Sequence, residues 1–359
     1  MNRHLLTTRV VSALALSAAL TLGVTLGHND AVEAQQARKL SVITSAVYRK
    51  SFDRFIVPKM KELYNIEVVA SPFLSAETLA RAIAQKDNPT TTVFMLDEGP
   101  WLQGKELGLW ANLDAAKITN LSDVPAQFKD KDGQGTAMML ILLGMIYDEQ
   151  ALKANNIPAP VSLHDMWNPA LRNRVSIQQF SSTFAYTLLA HTNYVAGGDV
   201  NKSFDPGFAK LVQIRPNVRT FSGPAAQLIQ LFQQKEIWMA WGAHFTAMQA
   251  AAAGSPVRWA APKEGAAGYA HYIAMAKGAP NQTEGELLVN LMLSLEYQKV
   301  MAETDFMGPS NLKTQFDPEF EKTFPVNSKT MSAAVPVPWL AYNRNRITLN
   351  ERWQREIEQ

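Results

Sequence analysis

Cysteine is absent from this chain, so disulfides, thiolate metal sites and cysteine nucleophiles are excluded together. An exported chain tolerates that well, since stray thiols are a liability in an oxidising compartment. Net charge is also nearly missing, at +2, and the Lys and Arg residues are scattered without a basic run interleaved with aromatics. That excludes the electrostatic footprint of a nucleic-acid binder. Phosphate-cradling and dinucleotide loops are missing too: neither G-x-G-x-x-G nor a P-loop occurs, and there is no G-x-S-x-G elbow. Beyond the first residues the histidines are His164, His191, His244 and His271, and none has the i, i+4 partner that a helical zinc site uses. Neither a metal nor an organic cofactor is expected.

What is present is apolar material for a substantial core. Of 359 residues, 47% are hydrophobic and 18% charged, the balance of a globular protein with one large domain or two. The N-terminus reads as an export signal. "MNRHLLTTR" carries two arginines, residues 10–26 form an uncharged apolar run, and "VEAQQA" follows with small residues where a signal peptidase cuts. The run is shorter than the roughly 20 residues that a membrane-spanning helix needs. A cleaved signal peptide over residues 1–34 and a periplasmic location are therefore expected, with no cysteine for lipidation.

Apolar strands then alternate with helical stretches, the pattern of an α/β protein with largely parallel sheets. "KLSVITS" is predicted as a first strand. "RKSFDRFIVPKMKELYN" follows as a helix with Phe52, Phe55, Ile56, Met60 and Leu63 on one face. "IEVVA" and "TTVFMLD" read as the next strands, separated by a helix that starts at Ser75 as N-cap. "TAMMLILLGMIYD" is the longest apolar strand-like run after the signal, long enough to carry the chain from one lobe into another. The alternation restarts beyond it, through "RVSIQ", the helix opened by Ser181, Ser182 and Thr183, the helix entered through Ser222-Gly223-Pro224, and "IWMAWG".

Ligands of open α/β sheets sit beyond the carboxyl ends of the strands. The residues at those ends form the candidate site: Tyr48, Asp97, Glu98, Trp101, Ser181, Ser182, Ser222, Trp241, His244, Tyr269 and His271. Asp97 and Glu98 suit a cation, or equally a helix cap for "GPWLQGKEL". The serine-rich helix starts suit a carboxylate or phosphate, or ordinary capping. The stretch "VRWAAPKEGAAGYAHYIAMAKGAPN" is either a hairpin or the wall of a cleft.

The chain resembles a known family here. "YDEQALKANNIPAPVSLHDMWNPALRNRVSI" and "PKEGAAGYAHYIAMAKGAPNQTEGELLVNLMLSLEYQKVMAE" resemble the periplasmic solute-binding proteins of ABC importers, in the branch with polyamine, iron(III), thiamine, phosphonate and sugar-phosphate receptors. The resemblance implies a two-lobe fold of type II with the ligand cleft between lobes joined by two crossing strands. It places lobe 1 over residues 35–140 and 268–335, lobe 2 over 141–267, and a C-terminal tail with a helix over 336–359. It also implies a non-catalytic receptor, monomeric, that binds a small molecule and docks on an ABC permease and its ATPase. An enzyme on the same scaffold, or a receptor feeding a sensor protein, are the alternatives. Tyr269 and His271 stand where polyamine receptors of the branch carry a tryptophan and an aspartate, and no two tyrosines are adjacent as in the iron(III) receptors. Both patterns are thus incomplete here, and the ligand stays open among a polyamine-like molecule, a zwitterion and an organic anion.

Overall fold

The computed structural model describes residues 38–359, so the predicted signal peptide and its cleavage point lie outside the described residues. The first strand, β1 (Arg38–Thr44), leads into helical turns over residues 49–56 and then α1 (Val57–Tyr64). A π-helical turn at Phe52–Ile56 inserts an extra residue and rotates the apolar stripe. Phe52, Ile56 and Met60 are buried as predicted, while Leu63 is turned out to solvent. Next come β2 (Ile66–Pro72), α2 (Ser75–Ala84), β3 (Val93–Asp97) and α3 (Glu98–Glu106). The long apolar run is β4 (Thr136–Asp148), followed by β5 (Val175–Gln178) and α4 (Thr183–Val195). The chain continues through α5 (Asp205–Val212), β6 (Val218–Ser222), α6 (Ala225–Gln233), β7 (Met239–Ala243), α7 (His244–Ala252), β8 (Val257–Ala260) and β9 (Ala267–Met275). Helices α8 (Gln282–Met292) and α9 (Leu295–Asp305), short strands β10 (Gly308–Pro309) and β11 (Val335–Pro336), and α10 (Trp339–Trp353) complete it.

One sheet runs through the described residues, in the order β2-β1-β3-β9-β4-β7-β5-β6. The outer trios pair in parallel, as the alternation predicts. The middle does not: β9 is antiparallel to both β3 and β4, and β4 is antiparallel to β7. This departs from the largely parallel expectation because β4 and β9 belong to both halves and each enters from the opposite end. The "VRWA" and "AGYAHYIAM" strands are no hairpin. Both pair with β4, at residues 145–148 and 136–143, with a turn between them. Gly265, at φ 98°, makes that turn in a region closed to most side chains.

The two faces of β4 and β9 pack different cores. Tyr269, Ile273 and Met275 join one cluster with Met139, Ile141 and Leu143, while Ala270, Tyr272 and Ala274 join another with Leu140, Leu142 and Trp101. Period-2 alternation in a strand covered on both sides accounts for this division. It also decides which residues reach the cleft.

Candidate ligand cleft

A cavity of about 240 Å³ opens where β1, β3, β5 and β6 end and the crossing strands pass beneath. Its floor is made by residues two apart on each crossing strand, Met139 and Ile141 from β4, Tyr269 and His271 from β9. Pairing brings Asp97 opposite His271, and His271 opposite Met139, so the polar pair lies in one row across the sheet.

Asp97 is the acidic residue of this wall. Its Oδ1 lies 2.8 Å from His271 Nδ1, and its Oδ2 accepts a hydrogen bond of 2.8 Å from the Thr183 hydroxyl. The Asp97 amide donates to Ser75 Oγ at 3.0 Å. Ser75 is therefore the first residue of α2, with Leu74 at the cap position, and its hydroxyl serves the neighbouring strand end instead. Asp97 precedes α3 as predicted for a cap, but its carboxylate makes no capping bond because His271 and Thr183 hold it. The Tyr269 hydroxyl is beside it, and burial together with the Asp97 charge raises that phenol well above its usual range. His271 is 3% exposed, and its second ring nitrogen, Nε2, has no hydrogen-bond partner.

Three helices begin at the rim. Ser75 and Ala76 open α2, Thr183 and Phe184 open α4, and Ala225 opens α6 behind Gly223 and Pro224. Ser182 caps α4 by accepting the Phe184 amide at 3.2 Å, and its own hydroxyl donates to Gln178 Oε1. At α6 the Gly223 amide is taken by Gln227 Oε1 at 2.7 Å. Gln178 and Gln179 add amide groups at the end of β5, and Phe184 and Phe245 supply apolar wall.

Of the residues predicted for the site, Asp97, Ser181, Ser182, Tyr269 and His271 line this cavity. The others do not, each for a packing reason. Tyr48 is buried behind the wall, its hydroxyl accepting the Ser45 amide and its ring edge-on to His271 at 5.7 Å. Glu98 is outside the lining, its Oε2 accepting the Ala270 amide at 3.4 Å. Burial pushes its carboxyl up to about 7, with the Asp97 charge adding to the rise. Trp101 stacks on Tyr272 with ring centres 3.9 Å apart, on the face opposite the cleft. Ser222 is fully buried at the end of β6. Trp241 donates its indole N–H to Thr187 at 3.0 Å and stacks on His191. His244 spends both ring nitrogens on backbone groups of Leu142 and Phe306, and burial lowers its pKa to about 4.

Sequence reasoning missed Gln178, Gln179, Phe184 and Phe245, and it passed over Met139 and Ile141 as plain strand. The glutamine pair had a signal, polar residues directly after an apolar strand. Trp339 had none. It opens α10, lies edge-on behind Tyr269 at 5.2 Å, and fits there because Gly99 has no Cβ, which would meet its ring at 2.4 Å. A second, mostly apolar cavity of about 380 Å³ lies between α4, the start of β9 and the segment before α10. Among the described residues no cluster of three metal-ligating side chains occurs, and no helix is long and apolar enough to cross a membrane.

The sequence profile of the bacterial extracellular solute-binding proteins matches residues 56–325. The chain belongs to that family. A relative, the spermidine/putrescine-binding periplasmic protein of Escherichia coli, is 22% identical over 366 residues, covering 99% of this chain and 94% of its own. Among solved structures, an ABC transporter protein from Clostridium perfringens superposes with a TM-score of 0.73 at 23% identity, covering 89% of this chain and 99% of its own. The periplasmic binding protein AfuA of Actinobacillus pleuropneumoniae, with fructose-6-phosphate bound, gives 0.72 at 20% identity, with 90% and 99% covered. The fold is thus the mixed α/β architecture of periplasmic binding proteins, with β4 and β9 side by side at the middle of its sheet.

Proposed function

We propose that this solute-binding protein is the periplasmic receptor of an ABC importer, closing on a small polar molecule in the cleft floored by Met139, Ile141, Tyr269 and His271. The observation that carries the reading is the family membership together with a polar row, Asp97, His271 and Thr183, at the crossing strands. Thr183 comes from the half of the sheet that holds β5, and Asp97 from the half that holds β3, so the row bridges the two sides of the cleft. Lobe 1 takes residues 35–140 and 268–335, lobe 2 takes 141–267, and residues 336–359 form the tail. Hinge closure places the change in φ and ψ at the crossing strands and leaves each lobe rigid.

Export proceeds through a signal peptide cut near Gln35, and the mature monomer delivers its solute to a permease and ATPase. No catalytic role is assigned to the Asp97–His271 pair: both residues serve to hold the solute. Small-angle scattering on the purified chain tests the closure. A bound solute should reduce the radius of gyration and raise the melting temperature, by mass action about 2.7 kcal/mol at a hundredfold excess over Kd. A solute that binds without any compaction would rule out the hinge model.

A further inference from the structure

The geometry points to the chemical class of the solute: we propose a small organic anion, bearing a carboxylate or phosphate, with its charged group where α4 and α6 begin and with His271 Nε2 donating to it. The inference rests on the receptor reading and deepens it.

Three observations converge. First, α2, α4 and α6 all open onto the cleft, at Ser75, Thr183 and Ala225. The leading amides of a helix have no acceptor within it, and its N-terminus carries a partial positive charge, so such ends attract anions. Second, and independently, His271 is almost wholly buried in the same wall with Nδ1 held by Asp97 and Nε2 unpartnered. A buried polar atom left without a partner is costly unless something else completes it.

Third, the carboxylate that a cationic solute requires is already engaged. Asp97 is the acidic side chain among the cleft-lining residues, and both its oxygens are held, by His271 and Thr183. Glu98 is outside the lining, its Oε2 accepting the Ala270 amide. An ammonium group brought into this cleft would have to share the one Asp97 carboxylate with His271 and Thr183, which weakens the return on its desolvation. The relative's named ligands, spermidine and putrescine, are cations of that type.

The test uses the purified full chain and the sign of one added charge. A panel of inorganic phosphate, succinate, glucose 6-phosphate, spermidine, putrescine, glucose and the amino acids is screened by thermal shift, and each member that raises the melting temperature is titrated by calorimetry. Ala225→Asp then places a carboxylate at the first position of α6, where a negative charge favours the helix and the fold is kept. The expected result is an anionic hit that Ala225→Asp weakens roughly tenfold or more, through repulsion at close range. His271→Gln should weaken the same hit. A polyamine or sugar hit that Ala225→Asp leaves unchanged or tightens overturns the anion inference while the receptor reading stands. If no member of the panel stabilises the chain, the receptor reading falls and the anion inference falls with it.

Discussion

The two faces of β9 have the same backbone and opposite duties. On one face Tyr272 lies flat on Trp101 at 3.9 Å, and Ala270 and Ala274 fill the space around it. On the other, Tyr269 and His271 look into a cavity, and His271 keeps one ring nitrogen unpaired. The first face is complete without a ligand. The second is left incomplete. Alternation along one strand separates them, so a single step in register exchanges a packed side chain for one that lines the cavity.

His244 and His271 repeat the contrast in one residue type. Both are buried beside the crossing strands. His244 has its two nitrogens on the backbone of Leu142 and Phe306, and nothing remains to offer a solute. His271 has one nitrogen on Asp97 and one to spare. Burial alone does not separate the two residues; their hydrogen bonding does.

The sharpest way to break the comparison is Tyr272→Ala. Loss of a stacked, buried aromatic should cost about 3–5 kcal/mol of stability, with the affinity of the remaining folded protein unchanged. Urea unfolding alongside titration of the solute would read both. A variant that keeps its stability and loses binding would mean the faces are assigned the wrong way round.

A smaller effect concerns Glu98, half-buried beside the middle strands. Its carboxyl is raised from 4.5 to about 7. The folded chain therefore holds this proton more tightly than the unfolded chain. The stability from this group is full below pH 4.5 and is lost as pH climbs toward 7, by about 3 kcal/mol at most. His191 and His244 oppose it. Burial lowers each from 6.5 to about 4, so their contribution is full above pH 6.5 and is lost as pH falls toward 4. The clean measurement is a difference. The melting temperature of Glu98→Gln relative to the parent should rise steadily from pH 5 to pH 7, and a flat difference would show that Glu98 is not the group responsible.

The smallest change in stability separates the two histidines. His244→Gln should lower stability by roughly 1–3 kcal/mol, because buried backbone groups lose a partner, and leave affinity alone. His271→Gln should cost less in melting temperature and at least about tenfold in solute affinity, as expected for a polar group that completes its bonding only with ligand. Equal thermal losses with equal affinities would erase the distinction.

Much of this was legible in the residues. β4 begins and ends where the run "TAMMLILLGMIYD" does, Ser182 caps α4, and β3 ends at Asp97, because apolar patterning and capping chemistry are local. The strand-end rule reached Asp97, Ser181 and Ser182 by the same local logic, whereas Tyr269 and His271, read as a possible cleft wall, lie inside β9 and not at its end. It could not tell them from Trp101, Trp241 and His244, which also follow or end strands. Each of those found its partner in a distant segment: Gln134 and Tyr272 for Trp101, Thr187 for Trp241, Phe306 for His244.

By itself, then, the sequence determined the elements, their order and the family, since each depends on neighbours a few positions apart or on a pattern carried along the chain. Only the tertiary structure decided that β9 is antiparallel to both its neighbours, that Asp97 is held by His271 and Thr183 instead of waiting for a cation, and that Trp339 backs Tyr269. Asp97 and His271 are separated by 174 residues, and Trp339 and Tyr269 by 70. Whether a polar side chain is spent or free depends on what arrives from such distances, and no local pattern records it.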